Sequence, residues 1–591
     1  MSMDATPAMD ATKGRAPARQ YPVMTTGEIE QLIADGRTII IMDQHVLKVD
    51  AWIRYHPGGD KAIQHMVGRD ATDEVHALHS PEARAMMNKY RIGRIEHRWK
   101  NMVPPIQGGV FTPKIVANGG LDDPRVECCP ARESPASSHT SSRSASPVFD
   151  TNDTHDHVLR SRKTGAASSP SSMRPSSSTS VTSADDDDDD DGVDDPADRM
   201  SLLDRRTMQE IKQDLDIYPA LDPATQDNIV HKYRQLNERI KAEGLYQCNY
   251  WAYAVECSRY TLFFSLFVLF LRCRWWVTSA WWLGCFWHQL VFSAHDAGHM
   301  GITHNFHVDT VIGIIIADFA GGLSLGWWKR NHNVHHIVTN SPEHDPDIEH
   351  MPFFAISHRF LQSLRSTYYE RVMAYDAFAK VLLRFQHYSY YPILLFGRFN
   401  LYRLSWEYLL GAQAPRRGPA WWHRWLELAG QAFFWYWFGY VVLYRSIDSG
   451  WARLAFVMVS HMVTMPLHVQ ITLSHFAMST AELGPAESFP QKMLRTTMDV
   501  DCPLWLDFFH GGLQFQAIHH LYPRIPRHNL RRTQKLVQRF CEEVGIPYAL
   551  YGFVGGNKKV IGRLADVSRQ AAILAKCQQV LAESGDPLHH H

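Results

Sequence analysis

At 591 residues the chain is too long for one ordinary hydrophobic core, so two or more domains are expected. Its 60 Lys+Arg against 61 Asp+Glu leave a formal net charge of -1, which gives no reason to expect nucleic acid as a partner. The mean hydropathy of -0.27 looks soluble, but apolar and polar residues are segregated along the chain, and 33 histidines and 18 tryptophans point to metal and to a membrane interface.

Residues 1–20, rich in Ala, Pro and Met, read as a disordered lead. The first 30 residues hold no apolar h-region, so no secretory signal is expected. None of the nine cysteines forms a C-x-x-C pair, and Cys128–Cys129 is too close to bridge easily. They read as free thiols in a reducing compartment. Residues 21–98 have the composition of a small globular domain, short enough to lean on a cofactor.

Within that domain, Tyr55-His56-Pro57-Gly58-Gly59-Asp60 is followed by Asp70-Ala71-Thr72 and then Leu78-His79-Ser80. Two neutral imidazoles on opposite faces of a porphyrin give six-coordinate iron suited to electron transfer, with no position open to O2. Pro57 and the glycines fit a tight turn presenting His56, and Ile63, Val67, Val75 and Leu78 can line a haem slot. HPGG alone would read equally as a turn, with His79 a surface residue. The combination resembles cytochrome b5 over about 22–98. The resemblance implies haem b with His56 and His79 as axial ligands and leaves His65 and His76 incidental.

Residues 101–200 change character, with Ser and Pro dominating 133–183 and an unbroken acidic run over Asp185–Asp191. Such a stretch cannot bury enough apolar surface to offset its ordering entropy and reads as a disordered tether. A flexible chain of that length has a reach of ~50–60 Å. Residues 201–255 read as a helical, partly amphipathic cytosolic or interfacial segment, with Leu202, Met208, Ile211 and Leu215 on its apolar side.

A membrane domain is expected over 256–550. Tyr260–Leu271 and Trp275–Phe292 read as a helical hairpin turning at Arg272 and Arg274. Val311–Trp327 is apolar but contains Asp318 and several glycines, so it reads as re-entrant or interfacial, with Asp318 either lining a polar cavity or marking a segment that never enters the bilayer. Ala432–Tyr444 and Leu454–Leu473 make a second pair. Four spans put both ends on one side, expected to be cytosolic. Residues 551–591 form a C-terminal tail, and its last three histidines are given no role.

Three histidine groups border these segments: His295-Asp296-Ala297-Gly298-His299, His332-Asn333-Val334-His335-His336 and Gln516-Ala517-Ile518-His519-His520. On a helix, i pairs with i+3 and i+4, so His295 with His299, and His332 with His335 and His336, can chelate together. His519 and His520 diverge by about 100°, which suits two neighbouring metals. Imidazole binds Zn, Cu, Fe and Ni alike, so ligand type does not name the metal. A zinc hydrolase HEXXH needs a glutamate where Asp296 stands, and it leaves three clusters unexplained. Asp296 inside the first group, and Asp345, Asp347 and Glu349 after the second, can orient the histidines, while a solvated loop is the plainer reading of the last three.

Together these motifs, over about 22–98 and 245–550, resemble the front-end membrane desaturases, whose third histidine box begins with Gln as Gln516 does. The text around the second box, Gly326-Trp327-Trp328-Lys329 and Asn340-Ser341-Pro342-Glu343-His344-Asp345-Pro346-Asp347-Ile348, looks most like fungal sphingolipid Δ8-desaturases. The resemblance implies an α+β haem domain tethered to an all-α multi-span membrane domain, with about four transmembrane helices plus interfacial helices. It also implies two Fe ions held by His295, His299, His332, His335, His336, His519 and His520, with His475 as a further ligand and His468 as a looser candidate. Gln516 would ligate directly or hold a water, and Asp296 would serve the catalytic site. Ile518 departs from the acidic residue many relatives carry there.

The expected function is O2-dependent insertion of a Δ8 double bond into the long-chain base of a ceramide. Electrons would come from NADH through cytochrome b5 reductase and the fused haem domain, in the endoplasmic reticulum membrane. The competing readings are a front-end fatty-acid desaturase, a b5-fused lipid hydroxylase, and a non-enzymatic membrane haem carrier.

Overall fold

A computed structural model describes residues 20–103 and 202–584. The expected lead, the Ser/Pro/Asp-rich tether, Cys128–Cys129 and the terminal histidines lie outside the described residues.

The N-terminal unit begins with helix α1 (Thr26–Ala34), closed by a capping box between Thr25 and Glu28. Strands β1 (Ile39–Met42), β2 (His45–Lys48) and β3 (Arg91–Arg94) form an antiparallel sheet in that order, with Ile41 opposite Val46. Inserted before β3 are three short helices, α2 (Asp60–Gln64), α3 (Thr72–Leu78) and α4 (Pro81–Met87). Ile29, Ile33, Ile39, Ile41 and Val46 make the core beneath the sheet, while Ile40, Leu47, Ala62, Met66 and Val75 face the slot side. A strand cannot present both sets to one side, because successive residues alternate faces.

The remaining described residues are mainly helical. α5 (Leu202–Ile217) and α6 (Pro223–Ala242) are amphipathic, and α6 buries Ile229, Tyr233, Leu236 and Ile240. α7 (Tyr250–Arg272) and α8 (Trp276–Gly298) form the expected hairpin, which turns at Cys273–Trp275 with Arg274 at φ 61°. α7 begins ten residues before the apolar run suggested, because Asn249 caps it through the amides of Trp251 and Ala252. α9 (Phe306–Ile314) continues as a wider π-helical turn to Ala320, and α10 (Leu325–Ile337) departs at 117°. The bend falls where Gly321 and Gly322 interrupt the helix.

Three helices, α11 (Ala377–Arg384), α12 (Gln386–Leu394) and α13 (Gly397–Leu410), lead to α14 (His423–Phe434), which also continues in π-helical form to Arg445. α15 (Gly450–Met462) and α16 (Met465–Phe476) run on as one long helix. Then come α17 (Phe489–Thr496), β4 (Asp499–Asp501), α18 (Asp507–His510), α19 (Gln516–Leu521), α20 (Arg527–Val544), β5 (Leu550–Gly552) and α21 (Phe553–Ser584), with β4 and β5 paired in parallel.

Among the described residues, two helices are long and apolar enough to cross a bilayer, Tyr250–Arg272 and Gly450–Phe476, or three if the bent Phe306–Ala320 and Leu325–Ile337 pair is one span. That is fewer than the four expected. α8 has the length, but His288, Gln289, Ser293 and its tryptophans lower its hydropathy, and the α14 segment is likewise rich in Trp and Tyr. Asp318 lies in the bent pair, is fully buried, and accepts from the Leu325 amide and the Gln431 side chain.

Candidate haem and metal centre

His56 and His79 face each other across the slot, with ring centroids 5.8 Å apart. Each is fixed by a backbone carbonyl: His56 Nδ1 lies 2.7 Å from Gly59 O, and His79 Nδ1 3.3 Å from Val75 O. An Nδ1–H donated to a carbonyl leaves Nε2 as the free ligand atom. Burial lowers both imidazoles, and burial reinforced by His56 takes His79 to about 3, so both are neutral donors at physiological pH. The cavity between them is about 1050 Å³ and is lined by Ile40, Val49, Ala62, Ile63, Val75 and Leu78. Val67, expected in this lining, instead packs in the core under the sheet. The donor pair, its tautomers and the apolar walls fit a haem.

The histidine boxes converge from three helices. His295 and His299 end α8, His332, His335 and His336 lie on α10, and His519 and His520 lie on α19. His295, His299, His332 and His519 bring ligand atoms within 4.8 Å of one another, and His335, His475 and His520 form a second such group. His336 lies between them, its ring 4.2 Å from His520 and 4.9 Å from His299, with its Nε2 3.1 Å from His332 Nε2. His299 Nε2, His336 Nδ1, His475 Nδ1, His519 Nε2 and His520 Nε2 are buried without a hydrogen-bond partner. Orphaned buried polar atoms are costly, and here they converge in a donor set that fits two adjacent metal ions. Burial, then His295 beside His519 and His335 beside His520, keeps those two imidazoles well below the usual histidine range.

The surrounding shell orients these rings. Asp345, fully buried, accepts from His335 Nδ1 at 2.9 Å and from the amides of Asn340 and Asp347. Asp347 lies 3.6 Å from His332 Nδ1 and accepts from the Asn331 side chain. Burial would raise Asp347, but His335 and His332 outweigh it and hold the carboxyl below the usual range. Glu349 is buried too, which pushes it up to about 8. The stretch after box two is therefore not a solvated loop. Asn340 also donates to His475 O at 2.8 Å, joining box two to α16.

Asp296 is held by Arg527, whose other nitrogen binds Glu256, and by the Tyr253 hydroxyl, while His295 Nδ1 stays 4.0 Å away. Its Oδ2 anchors the end of α8, and Oδ1 is the oxygen nearest His295. Gln516 is buried one turn before His519 and His520, on their helix. Ile518 is buried in the apolar core shared by α6, α19 and α20. His468 is not drawn into the cluster; it lies two turns before His475, against Gly397.

Sequence reasoning missed Trp328. Its ring stacks on His332 at 4.5 Å and meets His295 and His299 edge-on at 5.3 Å each. The available signal was Gly298 inside box one: a Cβ there would lie 2.1 Å from the Trp328 ring. Sequence reasoning also set His65 aside as incidental, yet it is fully buried against Thr367 of the helical unit, Nε2 to Oγ1 2.8 Å.

A family model described as Fatty acid desaturase matches residues 274–552, and one described as Cytochrome b5-like Heme/Steroid binding domain matches residues 25–96. The chain is 61% identical over 569 residues to the Delta 8-(E)-sphingolipid desaturase of Emericella nidulans, covering 95% of this chain and 97% of that one. It is 46% identical over 574 residues to the protein of the same name from Kluyveromyces lactis, covering 96% of each. The Delta(8)-fatty-acid desaturase of Helianthus annuus is 36% identical over 292 residues, 49% of this chain and 62% of that one.

Proposed function

The chain belongs to the family of cytochrome b5-fused fatty acid desaturases, and from that premise we propose that it places a trans double bond at the Δ8 position of a ceramide's long-chain base. The reaction type rests on one observation: a two-histidine haem slot stands beside eight clustered imidazoles in a single molecule. The substrate and geometry follow the name shared by relatives that match along almost the whole chain.

Per double bond, two hydrogens leave the lipid, two electrons arrive through the haem domain, and O2 with two protons leaves as two waters. Haem supplies one-electron carriage and a pair of iron ions supplies the removal of hydrogen from unactivated methylenes, which side-chain acid–base chemistry cannot perform. We assign the haem to His56 and His79, one iron to His295, His299, His332 and His519, and the other to His335, His475 and His520 with His336. Asp345 holds His335 in one tautomer, so that its Nε2 faces the cluster. Asp296 is a positioning residue: with Arg527 and Tyr253 it fixes the end of α8 on which His295 and His299 are carried. Gln516 is assigned a place beside the irons, on the helix that presents His519 and His520.

A second cavity, about 700 Å³, lies between α12, α16 and α21, lined by Tyr391, Met465, Pro466, Val469, Phe509 and Phe553 among others. Val469 is six residues before His475, about 9 Å along α16. We assign the lipid chain to this apolar route. Counting α8 and the α14 segment as spans gives four, with both ends on the cytosolic side of the endoplasmic reticulum. There an NADH-linked cytochrome b5 reductase would reduce the haem.

The test is lipid mass spectrometry of a host lacking the activity, expressing the chain or its His519→Ala form, with long-chain bases and fatty acids scored separately. A new double bond in the base fraction, absent from the variant, is expected. New unsaturation confined to the acyl fraction would replace the substrate with a fatty acid, new hydroxyl groups would make the protein a hydroxylase, and no change with full haem reduction would leave a haem carrier.

A further inference from the structure

The haem slot and the histidine cluster share a wall. The cavity holding His56 and His79 is also lined by Gly298 and His299 of box one, Lys329 just before box two, Asn333 within it, and Arg524 just after box three. His299 thus belongs both to the cluster and to the lining of the slot.

The haem domain is gripped along its ligand-bearing segments. A Cβ on Gly58 would lie 2.6 Å from the Asn333 side chain, so the HPGG turn packs directly on the residue following His332. Asp60 is paired with Arg330, and Lys61 with Glu370. On the other side, Arg524 donates to the carbonyl of His79 at 3.1 Å, and Arg234 pairs with Asp73 at 2.8 Å. Each axial histidine therefore has a cation of the helical unit bound within about one turn of it.

We infer that electrons enter the metal cluster through the face made by His299 and Asn333, and that Arg330 and Arg234 are the positioning residues that hold the haem slot on that face. The inference rests on the haem and iron assignments above but not on the identity of the lipid. The step is a one-electron transfer: ferrous haem becomes ferric and the cluster gains the electron. It occurs twice per double bond, and a flavin reductase drawing on NADH restores the haem each time. Electron transfer is sensitive to distance, and charge pairs across an interface set its register and its ionic-strength dependence.

The test uses the full chain loaded with haem and iron, pre-reduced without O2 and then mixed with O2 and lipid, following haem oxidation by its absorbance. The same protein with iron removed gives the background rate. Asp60→Arg and Arg330→Asp are each expected to slow the iron-dependent phase by about tenfold or more, and the double swap to restore most of it. High salt should slow the wild type and leave the single variants little changed. The haem spectrum checks that the slot is intact; should Asp60→Arg lose haem, the Asp73/Arg234 swap makes the same measurement on the other flank. Wild-type oxidation rates in both single variants, or a double swap no faster than either, would overturn the inference. A chain that shows no iron-dependent phase at all would instead refute the metal assignment.

Discussion

Replacing Gly298 by alanine places a methyl group inside the Trp328 ring, 2.1 Å from its nearest carbon and within 3.0 Å of two more. To regain carbon–carbon contact near 3.5 Å the indole must retreat by about 1.4 Å. It has little freedom to do so, because its faces and edges rest on His332, His295 and His299. Overpacking of this kind costs about 1–3 kcal/mol in a core, and a displacement near 1 Å at a reacting centre costs about 100-fold in rate. The expected result for Gly298→Ala is roughly 100-fold less product per haem, with iron content lowered and haem content unchanged. Iron is measured by elemental analysis of purified protein and product by mass spectrometry. Adding Trp328→Phe removes most of the offending ring and should return a substantial part of both. Full iron and full activity in Gly298→Ala would refute the claim that Trp328 sets the positions of these three imidazoles.

His56→Ala and His79→Ala should each abolish the haem absorbance and the NADH-driven activity while leaving iron content near wild type, which elemental analysis checks. Asp345→Asn should weaken iron retention by about 10–100-fold, measured by titration with a chelator, because His335 exchanges a charged carboxylate that accepts through both oxygens for a neutral amide with one acceptor oxygen. Asp499 accepts from the Ala517 amide at the start of α19 and from Tyr548 and Gln534, yet burial pushes its carboxyl up to about 6. A carboxyl raised in the folded state binds its proton more tightly there than in the unfolded chain. Stability should therefore fall as pH rises from about 4 to about 6 and level off above, a loss of about 3 kcal/mol that Asp499→Asn should lack. Thermal melts of both proteins across that range would show it, and parallel pH profiles would rule it out.

The grouping of His295 with His299, and of His332 with His335 and His336, was legible in the sequence because i, i+3 and i, i+4 pairs share a helix face, a local property. HPGG and His79 were likewise readable as a turn and a second histidine within one small domain, and the fold brings His56 and His79 face to face. The span count differs between sequence and structure. The sequence reads Trp275–Phe292 and Ala432–Tyr444 as spans, whereas the mean hydropathy of α8 and the α14 segment is lowered by Trp, Tyr, His and Gln, so only Tyr250–Arg272 and Gly450–Phe476 among the described residues are long and apolar enough to cross a bilayer, or three with the bent pair. His475 and His468 stand at equivalent spacing on one helix, and nothing local chooses between them. The choice is made by α16 passing its last turn against box two, where Asn340 holds the His475 carbonyl.

Spacing and residue type thus determined which side chains are grouped locally: two histidines in one small domain, and further histidines at i, i+3 and i+4 along helices. Only the tertiary structure decided which carboxylates orient those histidines, that Gly298 exists to admit Trp328, and that the haem slot opens onto His299. Contacts between the haem domain and the helical unit join residues as far as 445 positions apart, as in Arg524 with the carbonyl of His79. They depend on how whole helices pack, which no short stretch of sequence encodes.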